Sequence, residues 1–583
     1  MMMETTRAAI QRLSFLLILF ALLAAPNVFA GGDPPRDPII SRQALVRLAP
    51  GGDVNAFNQQ YGSTTLDSIA SRNIHLLRIP DAAFNEDTWV AEVLATNPLG
   101  LFWLEPNYDG QDGEGRTGSF YVSSINGQNF YNTQYPRSRI RLPGAHEITR
   151  GGGIVVAVLD TGIDSTHPLL TSRIVAGGYN FVEGNANTED VADGVDEDND
   201  GTTDESFGHG TFMAGLIAMV APDAQLLPIK VLNSDGHGSG FHIAAGMFHA
   251  IDQGADVINL SMGSTYDAEA VSDALKEARA AGIAVIAAAG NRDVDDPEEH
   301  PATVENFCIG VAATGQDDRK SPFSNYHRKL AMCAPGSDGI YSTIPINAQG
   351  HRYARWEGTS LSTAMTSGTV ALIYAAHPEW PEATRAVAAR AALQAAADPI
   401  DDSYYNDGEM GAGRLDARGA VTVTAAPVTV ITDAQVAFGS YISGVVGDLI
   451  DIAEDEPEEV HYRARSQFGF LSSEPNRLDI VFGFATNHTS PASANIRLKS
   501  RINNPGGTLR IRLRRWSNSS LVQIVQAPIG TSFSVLNVPV SNIAPFIRSS
   551  DGRIEMNMKE IVVATFSTSG FVATVDELSV QVQ

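Results

Sequence analysis

Val155-Val156-Ala157-Val158-Leu159 runs without a polar break into Asp160-Thr161-Gly162-Ile163-Asp164. Five apolar residues followed by a carboxylate and a glycine read as a strand buried on both faces, the kind parallel sheets contain. Its charged end falls at the carboxyl edge, where open α/β sheets place their sites. The pattern repeats downstream. Val257-Ile258-Asn259-Leu260 and Ile283 to Ala289 read as strands, and Ile243 to Gly254 and Ala268 to Ala281 as helices. Such alternation predicts an α/β fold with a parallel sheet between helical layers.

Three further strings carry chemistry. Gly208-His209-Gly210-Thr211 precedes the apolar helix Phe212 to Val220. Val285-Ile286-Ala287-Ala288-Ala289-Gly290-Asn291 is a buried strand ending on an amide. Glu357-Gly358-Thr359-Ser360-Leu361-Ser362-Thr363-Ala364 leads into a run of small apolar residues that suits a helix. A serine there sits among unpaired amides that favour developing negative charge. Each residue alone has an ordinary reading: Ser360 as an N-cap, His209 as a cap or surface group, Asn291 as a turn former.

Together, in the order Asp160, His209, Ser360, these strings resemble the subtilisin-like serine proteases. Lys230-Val231-Leu232, Gly254 to Gly263 and Met410 to Ala417 extend the likeness over about residues 120–422. The resemblance implies a three-layer α/β catalytic domain and peptide-bond hydrolysis through an acyl-enzyme. Ser360 is then the nucleophile, His209 the base, Asp160 its orienting acid, and Asn291 the oxyanion donor. It also implies an extended substrate paired along Ser261, Met262 and Gly263, with Ala288, Ala289 and Gly290 as the opposite wall of the pocket for the residue before the cut (P1). These small side chains suggest room for medium or large apolar P1 residues. The loop Arg292 to Glu299 is acidic, and reads either as a solvated surface loop or as a wall favouring basic residues. Two departures touch no reacting group: Leu361-Ser362-Thr363-Ala364 lacks the proline that commonly follows the serine, and Phe212 replaces a common second histidine.

Between acid and base, Asp196, Asp198 and Asp200 with Gly201 match the start of an EF-type loop, and Asp204 falls at its ninth position. Phe207 stands at the twelfth, so the match is incomplete. The reading is a structural calcium site, with a solvated acidic loop as the alternative. A second calcium site of the family, keyed to His-Pro, is not expected, because Leu169 stands where its aspartate belongs. No organic cofactor is expected.

The chain has 583 residues and a net charge of −27, which argues against nucleic acid as a partner. Arg7 and Arg12 precede an apolar stretch from Leu13 to Ala25, and Val28-Phe29-Ala30 offers a cleavage point. Residues 1–30 therefore read as a signal peptide of a protein secreted to an extracellular or periplasmic space, with no lasting membrane span. Residues 31–115 read as a small α+β unit: strands at Ala44–Leu48, Ile74–Ile79 and Leu101–Leu104, the last stopped by Glu105-Pro106-Asn107. By resemblance this unit is a propeptide that inhibits the enzyme, cut within Tyr108 to Gly118. A permanent accessory domain is the alternative. The catalytic domain spans 116–425, and residues 427–583 read as an all-β sandwich of open role. Cys308 and Cys333 are either buried thiols or one bridge. The chain is expected to be a monomeric zymogen whose partners are protein or peptide substrates and its own propeptide. The rival reading is an inactive protease scaffold that binds through its β domain.

Overall fold

The computed structural model describes residues 39–423 except 82, 84, 114–121, 198–200, 296–298, 305–306 and 401–407, together with the strands between 429 and 582. The proposed signal peptide, residues 1–30, lies outside the described residues.

A seven-stranded sheet forms the centre, in the order Met332–Pro335, Ile309–Thr314, Ala284–Ala288, Val257–Leu260, Val155–Asp160, Gln225–Lys230, Tyr179–Asn180. Every neighbouring pair is parallel. This bears out the α/β expectation. Alternate residues of one strand enter different cores: Val156 and Val158 pack with Phe212, Ile217 and Val370, while Ala157 and Leu159 pack with Phe241, Phe248 and Leu275. That period of two is what a pleated strand between two helical layers requires.

The helix Thr359–Ala376 is buried from Thr359 to Tyr374. Its sequence suits such a setting despite many hydroxyls. Thr363, Thr366 and Thr369 each donate to the carbonyl four residues back, at 2.9 Å, so the polar atoms are satisfied within the helix.

The N-terminal unit is an antiparallel sheet of Thr64–Ile69, Ile74–Arg78, Ile39–Leu48 and Leu101–Asp112. Helices Val54–Tyr61 and Glu86–Ala95 cover one face, capped by Asp53 and Asn85. Ala44, Val46 and Leu48 pack on Phe57, Trp89 and Val93. Leu45, Ile74 and Leu76, on the opposite face, pack into the core that holds helices Gly240–Asp252 and Glu269–Ala280. Polar ties cross the same junction. Glu105 accepts the amides of Glu269 at 2.9 Å and Ala270 at 3.2 Å, and Asn107 accepts that of Phe241 at 3.2 Å. The amides at both helix starts thus find acceptors. Arg72 adds a bidentate pair with Asp252, at 2.8 Å through each nitrogen.

One expectation is overturned. The strand beginning at Leu101 does not stop at Glu105-Pro106 but runs to Asp112. Pro106 lies beside a register shift between Ile39 and Ala44, a place where a missing amide hydrogen is tolerated. The strand Thr64–Ile69 also escaped the sequence reading; its side chains are mostly exposed, so no apolar alternation marks it.

The described residues of the C-terminal region form two five-stranded antiparallel sheets. This agrees with the all-β expectation, and Leu509–Arg514 and Ile554–Met558 fall inside strands Gly507–Arg515 and Arg553–Val562. Both cysteines are buried thiols outside any disulfide, and burial pushes the Cys308 thiol up to about 12.

Candidate active site

The sheet delivers Asp160 at the end of its strand, fully buried. Asp160 Oδ1 accepts the Thr161 amide at 2.8 Å and lies 2.7 Å from His209 Nδ1. His209 opens the helix His209–Val220, entered through Gly208 at φ 92°. The next residue must also be small, because a methyl on Gly210 would overlap the Gly162 carbonyl. Glycine there lets the helix start close against the Asp160 loop. The Trp356 ring meets the His209 ring edge-on, with centroids 5.4 Å apart.

Ser360 is the second residue of the helix Thr359–Ala376. Its Oγ donates to the Ser261 carbonyl at 3.1 Å, and Ser261 Oγ donates back to the Ser360 carbonyl at 3.2 Å. Since Leu260 pairs with Leu159 in the sheet, Ser261 and Asp160 leave adjacent strands at the same edge. Asp160, His209 and Ser360 therefore gather at the carboxyl end of the sheet. Asn291 joins them. Its Oδ1 accepts both the amide and the hydroxyl of Thr359, each at 2.9 Å. With the oxygen held, the Nδ2 hydrogens point the other way, toward Gly113.

Along this edge lies a segment of the chain itself. Gln111 and Asp112 pair antiparallel with Gly263 and Met262. On the other side, Asp109, Gly110 and Gln111 pair with Ser239, Gly238 and His237. Continuing the register by one residue sets Gly113 opposite Ser261, and a methyl on Gly113 would lie 2.8 Å from Asn291 Nδ2. His237 adds side-chain contacts, with Nδ1 2.5 Å from Asp109 and Nε2 2.9 Å from Gln111 Nε2.

Of the predicted substrate residues, Met262 and Gly263 thus form a strand edge that carries a peptide, and Ser261 contacts Ser360. Ala288 and Ala289 are buried, and Gly290 turns at φ 93° toward Asn325 and Glu299. The acidic loop after Asn291 is not wholly solvated: Glu299 is only 2% exposed.

Two features were not read from the sequence. The second edge, His237–Ser239, is too short and glycine-rich to show a strand pattern. Asp190 is the other. It accepts from Thr211 Oγ1 at 2.6 Å, from the amides of Thr211 and Gly208 at 3.1 Å each, and from Thr161 Oγ1 at 3.2 Å. It ties the loop after Asp160 to the start of the His209 helix, and burial raises its pKa against the pull of Thr211. Nothing in the local string Thr188-Glu189-Asp190 marks it out.

For the predicted calcium loop, Asp198 and Asp200 lie outside the described residues. Asp204 Oδ1 accepts the amides of Asp193 and Gly194 at 2.8 and 3.1 Å, and Asp196 accepts that of Gly201 at 3.1 Å. Among the described residues no group of three or more acidic, histidine or cysteine side chains converges on a metal position, so the described part of the loop does not by itself make a calcium site.

Residues 151–418 match the model of the subtilase family. Thermitase from Thermoactinomyces vulgaris is 36% identical over 48% of this chain and 95% of its own length. Subtilisin BL from Lederbergia lenta is 38% identical over 42% of this chain and 84% of its own. An intracellular serine protease from Paenibacillus polymyxa is 40% identical over 40% of this chain and 70% of its own. The parallel sheet, Asp160 against His209 at its carboxyl edge, and these likenesses agree: the chain belongs to the subtilase family and is a subtilisin-like serine endopeptidase.

Proposed function

We propose that hydrolysis runs through Asp160, His209 and Ser360, and that the chain is a zymogen held by its own N-terminal unit. His209 takes the proton of Ser360 as the hydroxyl attacks the scissile carbonyl, then passes it to the leaving amine. Asp160 fixes the ring with its proton on Nδ1 and stabilises the imidazolium. Asn291 Nδ2 and the Ser360 amide receive the developing oxyanion, and Thr359 keeps the Asn291 amide turned outward at no cost during reaction. Water then releases the acyl group.

The observation that carries this reading is the strand Leu101–Asp112 and the residue that follows it, Gly113. The strand lies antiparallel on Met262–Gly263, as an extended substrate does, and brings Gly113 against Asn291 beside Ser360. The bond after Gly113 is then the one the chain cuts in itself, within the expected stretch Tyr108 to Gly118. Residues up to 113 act as propeptide, the segment from 114 to about 425 as catalytic domain, and the region from 427 as accessory β domain. Glu105, Asn107 and Arg72 hold the propeptide on the two helices.

The mature enzyme acts on proteins or peptides as a monomer. Secretion rests on the apolar leader at residues 13–25; no helix of the described residues is long and apolar enough to cross a membrane. Calcium in the loop 196–204 is supported by the crowding of four carboxylates, Asp196, Asp198, Asp200 and Asp204, which repel one another without a cation. When bound, the ion has a structural role only.

Fluorophosphonate labelling of the full chain after maturation, compared with Ser360→Ala, tests the reading. Labelling at Ser360 and a new N-terminus at Glu114 are expected. A folded wild-type protein that resists the probe would instead support the inactive scaffold.

A further inference from the structure

The P1 position of the chain's own tail is a glycine, and the space beside it is already filled. Glu299 sits between the two walls of the cleft. A methyl on Gly263 would overlap its Oε1, and one on Gly290 would lie 2.9 Å from its Oε2. The side chain is 3% exposed and Oε2 is held by Arg292 Nη2 at 2.5 Å, with Asn325 Nδ2 at 3.4 Å. Arg292 directly follows the oxyanion donor Asn291, so the ion pair ties Glu299 to the segment that carries that donor. Asn325 is anchored in turn by the Ala289 carbonyl at 2.8 Å. A buried carboxylate paired this way does not leave readily, since moving either partner strands the other.

The start of the slot is tight as well. Any β-carbon on residue 113 would crowd Asn291 Nδ2, and Asn291 is pinned by Thr359 through two hydrogen bonds. Small walls therefore do not mean an empty pocket here: the room beside Gly263 and Gly290 is taken by the Glu299 carboxylate.

We infer that Glu299, held by Arg292, is the specificity-determining residue of the P1 slot and restricts cleavage to bonds after small residues, glycine foremost. This rests on the proposed register of Gly113 and on the protease reading. Overpacking by a large P1 side chain must either displace the ion pair or push the peptide from Asn291, and such misfits cost enough to lower turnover about 10- to 100-fold. A lysine at P1 gains little, because the carboxylate already has its cation.

The test uses enzyme matured from the full chain, with active sites titrated by fluorophosphonate. Quenched peptides carry the sequence Asp-Gly-Gln-Asp-X-Glu-Gly of residues 109–115, X being Gly, Ala, Leu, Phe or Lys. The expected result is kcat/KM for Gly and Ala about 10- to 100-fold above Leu, Phe and Lys. Glu299→Gly should open the slot and raise Leu and Phe, relative to Gly, about tenfold or more. Wild-type enzyme that prefers Leu, Phe or Lys overturns the inference, as does an unchanged ratio in a folded Glu299→Gly. If that variant does not fold, the wild-type profile decides. Failure of titration and of all cleavage strikes the protease reading itself, and the P1 inference with it.

Discussion

Replacing Glu105 by alanine removes a carboxylate that is 4% exposed at the start of the helix Glu269–Ala280. That helix has no side-chain cap of its own, since Ala268 occupies the N-cap. The amides of Glu269 and Ala270 thus depend on Glu105, at 2.9 and 3.2 Å. Loss of such a cap costs about 1–2 kcal/mol, equivalent to about a 5- to 30-fold change in a local opening equilibrium. The full chain carrying Ser360→Ala, in which the proposed self-cleavage is blocked, is the right background. Amide hydrogen exchange over the first turn should accelerate by that factor in Glu105→Ala. The helix Gly240–Asp252 is the internal control, because Ser239 also caps it by accepting the His242 amide at 3.0 Å. Its exchange should stay as in the parent. Burial raises the Glu105 pKa well above the usual carboxylate range. Between the ordinary value and the raised one, the folded chain holds a proton that the unfolded chain has released. Stability from this group is full below the ordinary carboxyl value and falls as pH rises through the shifted one, a slope that Glu105→Gln should remove. Unchanged exchange at Glu269 and Ala270 would refute the capping argument.

Three other outcomes are open to measurement. Asn291→Ala should lower kcat about 10²- to 10³-fold with KM nearly unchanged, the loss a subtilisin suffers when its oxyanion-hole asparagine is removed; a loss confined to KM would contradict the oxyanion role. His75 accepts from Ser68 Oγ at 2.7 Å and lies 2.8 Å from Asn73 Oδ1, and burial lowers its pKa. The unfolded chain then binds a proton the folded one refuses, so the urea midpoint of the Ser360→Ala chain should fall from about pH 7.5 to about pH 5.5, less so in His75→Gln; equal slopes would count against it. Chelation should lower the melting temperature if calcium is held in the loop 196–204, by about 2–3 kcal/mol of stability relative to free ion at a hundredfold excess over Kd. An Asp198→Ala chain that responds equally would remove the site from this loop.

What depends on near neighbours was legible in the residues alone. Val155 to Asp160 had to be a strand buried on both faces. Asp160, His209, Asn291 and Ser360 each stood at the end of an apolar element, and their order along the chain carried the family likeness. Such signals are local, because periodicity and end residues are written within a dozen positions. Folding settled what depends on loops meeting from distant parts of the chain. Pro106 looked like a strand stop, yet the strand passes it because a register shift absorbs the missing hydrogen and the cleft edges at Met262–Gly263 and His237–Ser239 reward its continuation. Asp190 became the tie between acid and base loops only when four donors closed around it. Ala288, Ala289 and Gly290 read as open space, but the Glu299 carboxylate lies against Gly290 and Gly263. A residue's own volume is legible in the sequence, whereas the occupant of the room beside it is fixed by packing.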